Sequence, residues 1–252
     1  MAEGDTIRRA ARRIEAAIGG QELAVEARSG QARAAGFGRV DGRRLERVEA
    51  RGKHLLLHLG DLILHSHLGM SGSWHTYARG AHWRKPARAA WVTLSGAEAE
   101  AVQFGGSTLR LLSAAQLRSD PTLSRLGPDI LAVEFDPETV RIRLQASPER
   151  ELGDALLDQC LIAGIGNIFK SEACFMARVS PWRKIGELGG TEVEGVLEAG
   201  RQLMRGAVES GRPERAVYHR TGQPCPVCGT PILARGQGDA NRRTYWCRRC
   251  QP

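Results

Sequence analysis

Four cysteines near the end of the chain constrain its folding more than any other feature. They form two Cys-x-x-Cys pairs that are separated by 18 residues. The four are Cys225, Cys228, Cys247 and Cys250. Thiolates at this spacing are typical of a site that binds one Zn²⁺ tetrahedrally. Short β-forming runs at 231–234 and 244–246 flank a turn at 236–241. We therefore predict a β-hairpin zinc finger with one structural zinc, which supplies folding free energy.

The composition indicates a folded protein with an anionic partner. The chain has 252 residues, 42% of them hydrophobic, which is enough for one large core or two ordinary ones. Lysine and arginine outnumber aspartate and glutamate by 36 to 28, so the formal net charge is +8. This balance favours a nucleic acid over a membrane surface as the partner. Since no apolar run approaches membrane-spanning length and no secretory signal opens the chain, we expect a soluble, intracellular protein.

The first 118 residues are predicted to form a β-sandwich preceded by a helix. Apolar residues between Ile7 and Ile18 recur at helical spacing. Asp5 or Thr6 would cap this helix, and Gly19 would end it. Short β-compatible runs follow, several of them flanked by glycine. They lie at 39–47, 53–59, 62–68, 90–94, 101–104 and 108–112.

A helix, a glycine turn and a second helix are predicted in the middle of the chain. The first helix would span 152–159, residues 163–166 would form the turn, and Asn167 would cap the second helix. Backbone amides at that second N-terminus, with the Asn167 side chain, would form a phosphate site. A plain helical hairpin is the alternative that spacing alone leaves open.

Three domains are predicted from these patterns, at 1–118, 119–214 and 215–252, in an α+β chain. Residues 119–136 contain prolines and read as the interdomain connection. A third helix is predicted at 191–209, with a capping box formed by Thr191 and Glu194. Cys160 and Cys174 lie in the helical region, and we expect both to be buried thiols.

Five motifs in order resemble the formamidopyrimidine-DNA glycosylase/endonuclease VIII family, and within it the Nei-like bacterial branch. They are EGDTI at the start, RGKHLLL at 51–57, HLGMSGSW at 67–74, LLDQ…AGIGNIF…SEACF from 156 to 175, and YHRTGQPCPVCGTPI…YWCRRCQ from 218 to 251. The resemblance covers essentially the whole chain. It implies a helix-two-turn-helix domain in the middle, damaged DNA as the partner, action as a monomer, and a location in the bacterial cytoplasm on the nucleoid.

The resemblance also implies where catalysis occurs. In the family, removal of Met1 exposes the amine of residue 2, which attacks C1′ of the damaged nucleotide; the usual residue is proline, and here it is Ala2. An α-amine, with an ordinary pKa of about 7.7–8.0, is partly neutral near pH 7 and can form a Schiff base. Glu3 matches the carboxylate that shuttles protons, and Lys53 matches a lysine that contacts phosphate near the lesion.

Four further positions match DNA-contacting residues of the family. Met70 matches the side chain that fills the gap left by the extruded nucleotide. Asn167 and Arg242 match a phosphate-binding pair, and Arg220 is expected at another phosphate, next to His219, where glycine is common. Residues 102–108 lack the Asp-Pro-Arg-Arg-Phe motif that supplies two more gap-filling residues in certain relatives. Oxidised pyrimidines are therefore expected ahead of 8-oxoguanine.

The resulting expectation is a bifunctional DNA glycosylase and AP lyase. It would excise oxidised bases and cleave the abasic site by β,δ-elimination through a Schiff base, with no small-molecule redox cofactor. A catalytically impaired protein of the same fold, which binds damaged DNA, is the alternative that Ala2 leaves open. A zinc-ribbon module that binds RNA or a partner protein would explain only the last 40 residues.

Overall fold

The computed structural model of the chain describes residues 2–252. They form two compact units, one that ends at Arg125 and one that spans Leu126–Pro252. We call them the N-terminal unit and the C-terminal unit. The finer division at 118 and 214 stays a prediction, and Met1, whose removal the sequence analysis expects, lies outside the described residues.

Two four-stranded antiparallel sheets build the N-terminal unit. The strands are β1 Ala24–Ala27, β2 Arg47–Arg51, β3 His54–Leu59, β4 Leu62–His67, β5 Ser73–Ala78, β6 Ala90–Ser95, β7 Ala99–Phe104 and β8 Thr108–Ser113. One sheet has the order β2-β3-β4-β8 and the other β1-β6-β7-β5. The helices are α1 Gly4–Ile18, α2 Gly30–Ala34 and α3 Ala114–Ser119, with 3-10 turns at Phe37–Val40 and Ala87–Ala89. The predicted sandwich with an N-terminal helix is confirmed.

The apolar stripe of α1 contributes to the main core of this unit. Ile7, Ile14 and Ile18 are fully buried, because their spacing places them on one face of the helix. They belong to one cluster with alternate residues of β3, such as Leu55 and Leu57. The period of two along a strand thus directs one face of the β2-β3-β4-β8 sheet into the core.

Two sequence predictions for the N-terminal unit are wrong. Residues 39–47 do not form one strand, since the 3-10 turn Phe37–Val40 occupies its beginning and β2 starts only at Arg47. The N-cap of α1 is Glu3, in an extended conformation, and not Asp5 or Thr6. Asp5 instead lies in the first turn of α1, where the helix dipole stabilises a negative charge. Its carboxylate accepts a hydrogen bond from Arg9 at 3.0 Å.

Helices and one β-hairpin build the C-terminal unit. The helices are α4 Pro137–Gln145, α5 Leu152–Ala155, α6 Asn167–Met176 and α7 Gly190–Ser210, with a 3-10 turn at Ile185–Glu187. Strands β9 Leu233–Gln237 and β10 Arg242–Trp246 pair in antiparallel fashion. A buried cluster that includes Phe169 of α6 and Val196 of α7 forms the core between these two helices. The predicted helical region and zinc-finger hairpin are confirmed.

Helix termini in this unit differ from the sequence predictions. The helix predicted at 152–159 is the single turn α5, which ends at Ala155. Gly166 precedes α6 as its N-cap, so Asn167 is the first helical residue and not the cap. Residues with few side-chain constraints, such as glycine, can cap a helix through backbone geometry alone.

Two more predictions for this unit are corrected by the structure. The backbone N–H of Gly189 donates to Glu192 Oε2 at 2.9 Å, so the carboxylate at the start of α7 is that of Glu192, and the predicted capping box of Thr191 and Glu194 does not form. Cys174 is buried as expected, but Cys160 is exposed in the turn after α5. Within residues 2–252, no helix combines the length and the apolar character needed to cross a membrane.

Candidate active site and nucleic-acid interface

The four predicted zinc ligands converge at the base of the β9–β10 hairpin. Their Sγ atoms all lie within 4.8 Å of one another. Cys225 Sγ and Cys250 Sγ are 3.8 Å apart, and Cys228 Sγ and Cys247 Sγ are 3.4 Å apart. Zinc–sulfur bonds of about 2.3 Å in a tetrahedron require sulfur atoms about 3.8 Å apart, so these residues fit one Zn²⁺. Four protein ligands leave no open position, which is the pattern of a structural zinc.

Removing the zinc is expected to unfold the finger. We expect a chelator to release one zinc per chain, to make residues 215–252 sensitive to protease, and to weaken DNA binding by about tenfold or more, because Arg242 loses its position. Metal release, proteolysis and DNA titration measure these effects. Cys160→Ser, which changes a cysteine outside the cluster, is the matched control and should behave as the wild type. A metal-free finger that resists protease would contradict the assignment.

Residue 2 and Glu3 lie beside the loop that carries Met70. The backbone nitrogen of Ala2 is 3.5 Å from the carbonyl oxygen of Gly69. Glu3 follows directly and is only 1% exposed, although a carboxylate normally lies in water. The sequence predicted roles for Ala2, Glu3 and Met70 separately, and the structure brings all three to one place.

The loop between β4 and β5 presents Met70 on a tightly held backbone. The Met70 side chain is 63% exposed, which is unusual for a large apolar residue. A methyl group on Gly72 would lie 2.5 Å from the carbonyl oxygen of Leu68 and 2.7 Å from Cα of Gly106. The loop backbone packs so closely on the β7–β8 connection that only glycine fits at position 72. That connection is only residues 105–107.

Lys53 lies in the tight turn between β2 and β3. Gly52, before it, has a φ of +56°, a left-handed conformation that favours glycine. In the register of β3 and β4, His54, the residue after Lys53, lies opposite His67. Burial, and then the charge of Lys53, lower the pKa of His67. His67 in turn holds the Met70 loop, because its Nδ1 accepts a hydrogen bond from the Gly69 backbone at 3.2 Å. Lys53 therefore belongs to the same corner of the N-terminal unit.

Sequence analysis missed a pair of buried histidines next to this corner. His54 Nδ1 and His65 Nε2 are 2.9 Å apart, and both side chains are buried. Burial and then the neighbouring His65 lower the pKa of His54 to about 3. Burial and then Arg110 lower the pKa of His65 to about 4. Both rings are therefore neutral at physiological pH.

Acid is expected to destabilise the N-terminal unit because of these two histidines. Below their ordinary pKa of 6.5 the unfolded chain binds protons that the folded chain does not, so the stabilisation is complete above pH 6.5 and falls as the pH drops towards 4. We expect a loss of about 1–2 kcal/mol per histidine by pH 5. Urea unfolding at several pH values measures it. His82→Gln, at an exposed histidine, should retain the wild-type slope, whereas a flat wild-type profile would contradict the expectation.

Asn167 contacts the backbone of Arg243, the residue that follows Arg242 on β10. The Asn167 side-chain amide donates to the carbonyl oxygen of Arg243 at 2.8 Å, which links the first turn of α6 to β10. Asn167 is 6% exposed, and its Oδ1 has no hydrogen-bond partner within residues 2–252. Arg242, the first residue of β10, is exposed. The sequence predicted Asn167 and Arg242 as a phosphate-binding pair, and that pairing stays a prediction.

Buried polar contacts that sequence analysis missed fix both the hairpin and the segment at 216–218 to α6. Lys170 Nζ donates to Thr244 Oγ1 at 2.5 Å. The Thr244 hydroxyl donates to Gln237 Oε1 at 2.6 Å. Glu172 accepts hydrogen bonds from the backbone N–H groups of residues 216–218 at 2.7–3.0 Å. A run of polar residues on a helix would normally indicate an exposed face, so their burial gave no sequence signal.

Arg220 is held locally at the entrance to the zinc finger. Its Nε donates to Gln223 Oε1 at 3.0 Å, and its side chain is half-buried. His219, before it, has a φ of +60°, where a side chain is strained. This conformation explains why glycine suits the position. Arg220 lies in the same unit as Asn167 and Arg242, although no contact joins it to them among the described residues.

Three family models match consecutive parts of the chain. The formamidopyrimidine-DNA glycosylase N-terminal domain matches residues 1–109, the formamidopyrimidine-DNA glycosylase H2TH domain matches 126–217, and the zinc finger found in FPG and IleRS matches 222–252. A Streptomyces coelicolor protein named probable endonuclease 8 2 is 40% identical over 265 residues, which cover 100% of this chain and 94% of that protein. The chain belongs to the formamidopyrimidine-DNA glycosylase/endonuclease VIII family.

Further members of this family match over the full length. The DNA-(apurinic or apyrimidinic site) lyase Nei2 of Mycolicibacterium smegmatis is 32% identical over 265 residues, which cover 100% of this chain and 99% of that protein. Lactococcus lactis formamidopyrimidine-DNA glycosylase, solved non-covalently bound to DNA containing an AP site, matches with a TM-score of 0.84 at 25% identity and 99% coverage of each chain. The resemblance and the α+β fold predicted from the sequence are confirmed.

Proposed function

We propose that this chain is a bifunctional DNA glycosylase and AP lyase that removes oxidised bases from DNA. The observation that carries the proposal is the grouping of the Ala2 nitrogen, the buried Glu3 carboxylate and the exposed Met70 side chain in one corner. A nucleophile, a proton shuttle and a gap-filling side chain are the three parts that base excision requires. The names of the Streptomyces and Mycolicibacterium relatives support it.

The reaction begins once Met1 has been removed and the damaged nucleotide has left the base stack. The lone pair of the Ala2 amine forms a bond to C1′, the bond between C1′ and the base breaks, and the base leaves with a proton. The sugar ring opens as the amine and C1′ form a Schiff base. Glu3 moves the protons of these steps, because its carboxylate adjoins the amine in the chain.

Two eliminations then cleave the DNA strand. Loss of a C2′ proton expels the 3′ phosphate, and loss of a C4′ proton expels the 5′ phosphate. Water hydrolyses the Schiff base and frees the Ala2 amine. Lys53 binds the phosphate nearest the lesion, and Asn167, Arg242 and Arg220 bind phosphates from the C-terminal unit. Cys225, Cys228, Cys247 and Cys250 would hold a Zn²⁺ that stabilises the finger from which Arg242 projects.

Oxidised pyrimidines are the proposed substrates. Met70 is the gap-filling residue, and the β7–β8 connection consists only of Gly105, Gly106 and Ser107. So short a connection supplies no bulky side chain to replace a second base, which favours lesions with few demands on the opposite base. We also propose that the protein acts as a monomer in the bacterial cytoplasm, bound to the nucleoid.

A borohydride trapping assay on oligonucleotide duplexes tests the proposal. Duplexes that carry thymine glycol, dihydrouracil, 8-oxoguanine or an abasic site are incubated with the protein, and borohydride reduces any Schiff base to a stable adduct. We expect adducts with the abasic and pyrimidine substrates, mapped to Ala2 by peptide mass. Tight binding without an adduct would favour the second candidate, an impaired damage-binding protein, which the replacement of proline by Ala2 motivates.

A further inference from the structure

A row of polar side chains crosses the face of the β2-β3-β4-β8 sheet that points away from the core. In the strand register His54 faces His67, and Leu56, His65 and Arg110 lie side by side on β3, β4 and β8. These residues alternate with the leucines of the core cluster. Polar groups on the outer face of a sheet are normally exposed, yet His54 and His65 are buried. Buried ring nitrogens need hydrogen-bond partners, and the neighbouring side chains of the row supply them.

The hydrogen bonds of this row run in one direction. Arg110 can only donate, so its Nε, 3.0 Å from His65 Nδ1, makes that nitrogen an acceptor. His65 then carries its proton on Nε2 and donates it to His54 Nδ1. His54 is left with its proton on Nε2. We call Asp120, Arg110, His65 and His54 the histidine chain, because Asp120 Oδ2 anchors it by accepting from the Arg110 guanidinium at 2.5 Å.

The histidine chain ends at the corner that carries the proposed site. His54 directly follows Lys53, and its ring centroid is 4.8 Å from that of His67. His67 Nδ1 lies 2.7 Å from the Ser107 hydroxyl and accepts from the Gly69 backbone. The histidine chain therefore reaches Lys53 through the peptide bond to His54. It reaches the Met70 loop through the contact between the His54 and His67 rings.

We propose that the histidine chain is a positioning device that holds Lys53 and the Met70 loop in the arrangement that catalysis requires. The inference rests on the roles proposed above for Lys53 and Met70. The chain does not touch the reacting atoms; it acts through the start of β3 and through His67. A small displacement of the Lys53 ammonium group from its phosphate slows the reaction strongly. Disruption of the histidine chain therefore lowers the cleavage rate more than it lowers DNA affinity.

The charged groups around the two histidines set the expected pH response. His54 is influenced by His65, His67 and Arg110, which lower its pKa, and by Asp120, which raises it. His65 is influenced by Arg110 and His67, which lower its pKa, and by Asp120, which raises it. Removal of the Arg110 charge therefore raises both pKa values, so protonation interrupts the chain at a higher pH than in the wild type.

The variant Arg110→Met tests the inference. We expect its single-turnover cleavage of abasic-site DNA to slow by about tenfold or more, with the DNA dissociation constant within about threefold of wild type. As the pH is lowered, the rate of the variant should begin to fall at a higher pH than the wild-type rate does. His58→Gln is the matched control, since His58 is a buried histidine of the same strand that pairs with Glu49 and lies outside the chain.

Two further measurements keep the test decisive. If Arg110→Met does not fold, His54→Phe and His54→Asn replace it: phenylalanine removes the acceptor and slows cleavage, whereas asparagine retains an acceptor oxygen and restores part of the rate. Long-range ¹H–¹⁵N NMR of the imidazole rings should show neutral His65 and His54, both protonated on Nε2. Protonation of His65 on Nδ1, or equal rates for all these variants and the wild type, would overturn the inference. Wild-type protein that forms no borohydride adduct would overturn the proposed function and this inference with it.

Discussion

Replacement of Ala2 by leucine is expected to abolish borohydride trapping on abasic DNA. Removal of Met1 requires a small second residue, so Ala2→Leu keeps Met1 and turns the nitrogen of residue 2 into an amide without nucleophilic character. We expect the rate of adduct formation to fall by about 10³-fold or more, the scale on which loss of a nucleophile acts. Gel-resolved trapping, with the mass of the N-terminal peptide, measures both the adduct and the retention of Met1.

Ala2→Pro is the control for this experiment. Proline also permits removal of Met1 and supplies a secondary amine, so its adduct should form and map to residue 2. A DNA titration must accompany the leucine variant, because Ala2 packs against the main core and a larger side chain there disturbs its neighbours. An undiminished adduct in Ala2→Leu, mapped to a lysine such as Lys53, would show that another amine is the nucleophile.

Replacement of Glu3 by glutamine is expected to stop turnover while DNA binding persists. Glutamine has the shape of glutamate but cannot exchange a proton at the opening sugar. We expect the excision rate to fall by about 10²–10⁴-fold, the usual contribution of a general acid or base. The dissociation constant for abasic-site DNA should stay within about twofold, because no phosphate contact changes. Single-turnover excision and fluorescence titration separate these two quantities.

Asp5→Asn is the matched control for Glu3→Gln. Asp5 is another buried carboxylate of the same helical turn, and burial raises its pKa despite the hydrogen bond from Arg9. Its replacement should leave the excision rate close to wild type and change stability only. Normal turnover in Glu3→Gln would refute the proton-shuttle role, and equal losses of rate and affinity would indicate a structural role instead.

Periodicity predicted the elements that bury one face. The spacing of the apolar residues selects a helix for α1 and a strand for β3, because any other conformation would expose large apolar side chains to water. Helix ends were less predictable. The N-caps Glu3 and Gly166 make no side-chain capping hydrogen bond, so the sequence carries no characteristic signal for them.

The parts of the site that depend on local motifs could be predicted, and those that depend on strand register could not. The cysteine pairs indicate a zinc site through their spacing alone, and the family motifs point to Ala2, Glu3 and Met70, whose roles stay predictions. The bond between Arg110 and His65 joins residues 45 positions apart in sequence. Only the pairing of β4 with β8 brings them together, and pairing is a property of the whole sheet.

The contrast between Met70 and the backbone beneath it has an evolutionary consequence. The side chain points into open space, whereas the glycines at 72 and 106 allow no variation without a collision. We therefore expect substitutions at residue 70 to cost little in folding stability. On the role proposed for Met70, a single codon sets how the gap in the duplex is filled, and a saturation library at that codon is the natural starting point for directed evolution of repair specificity.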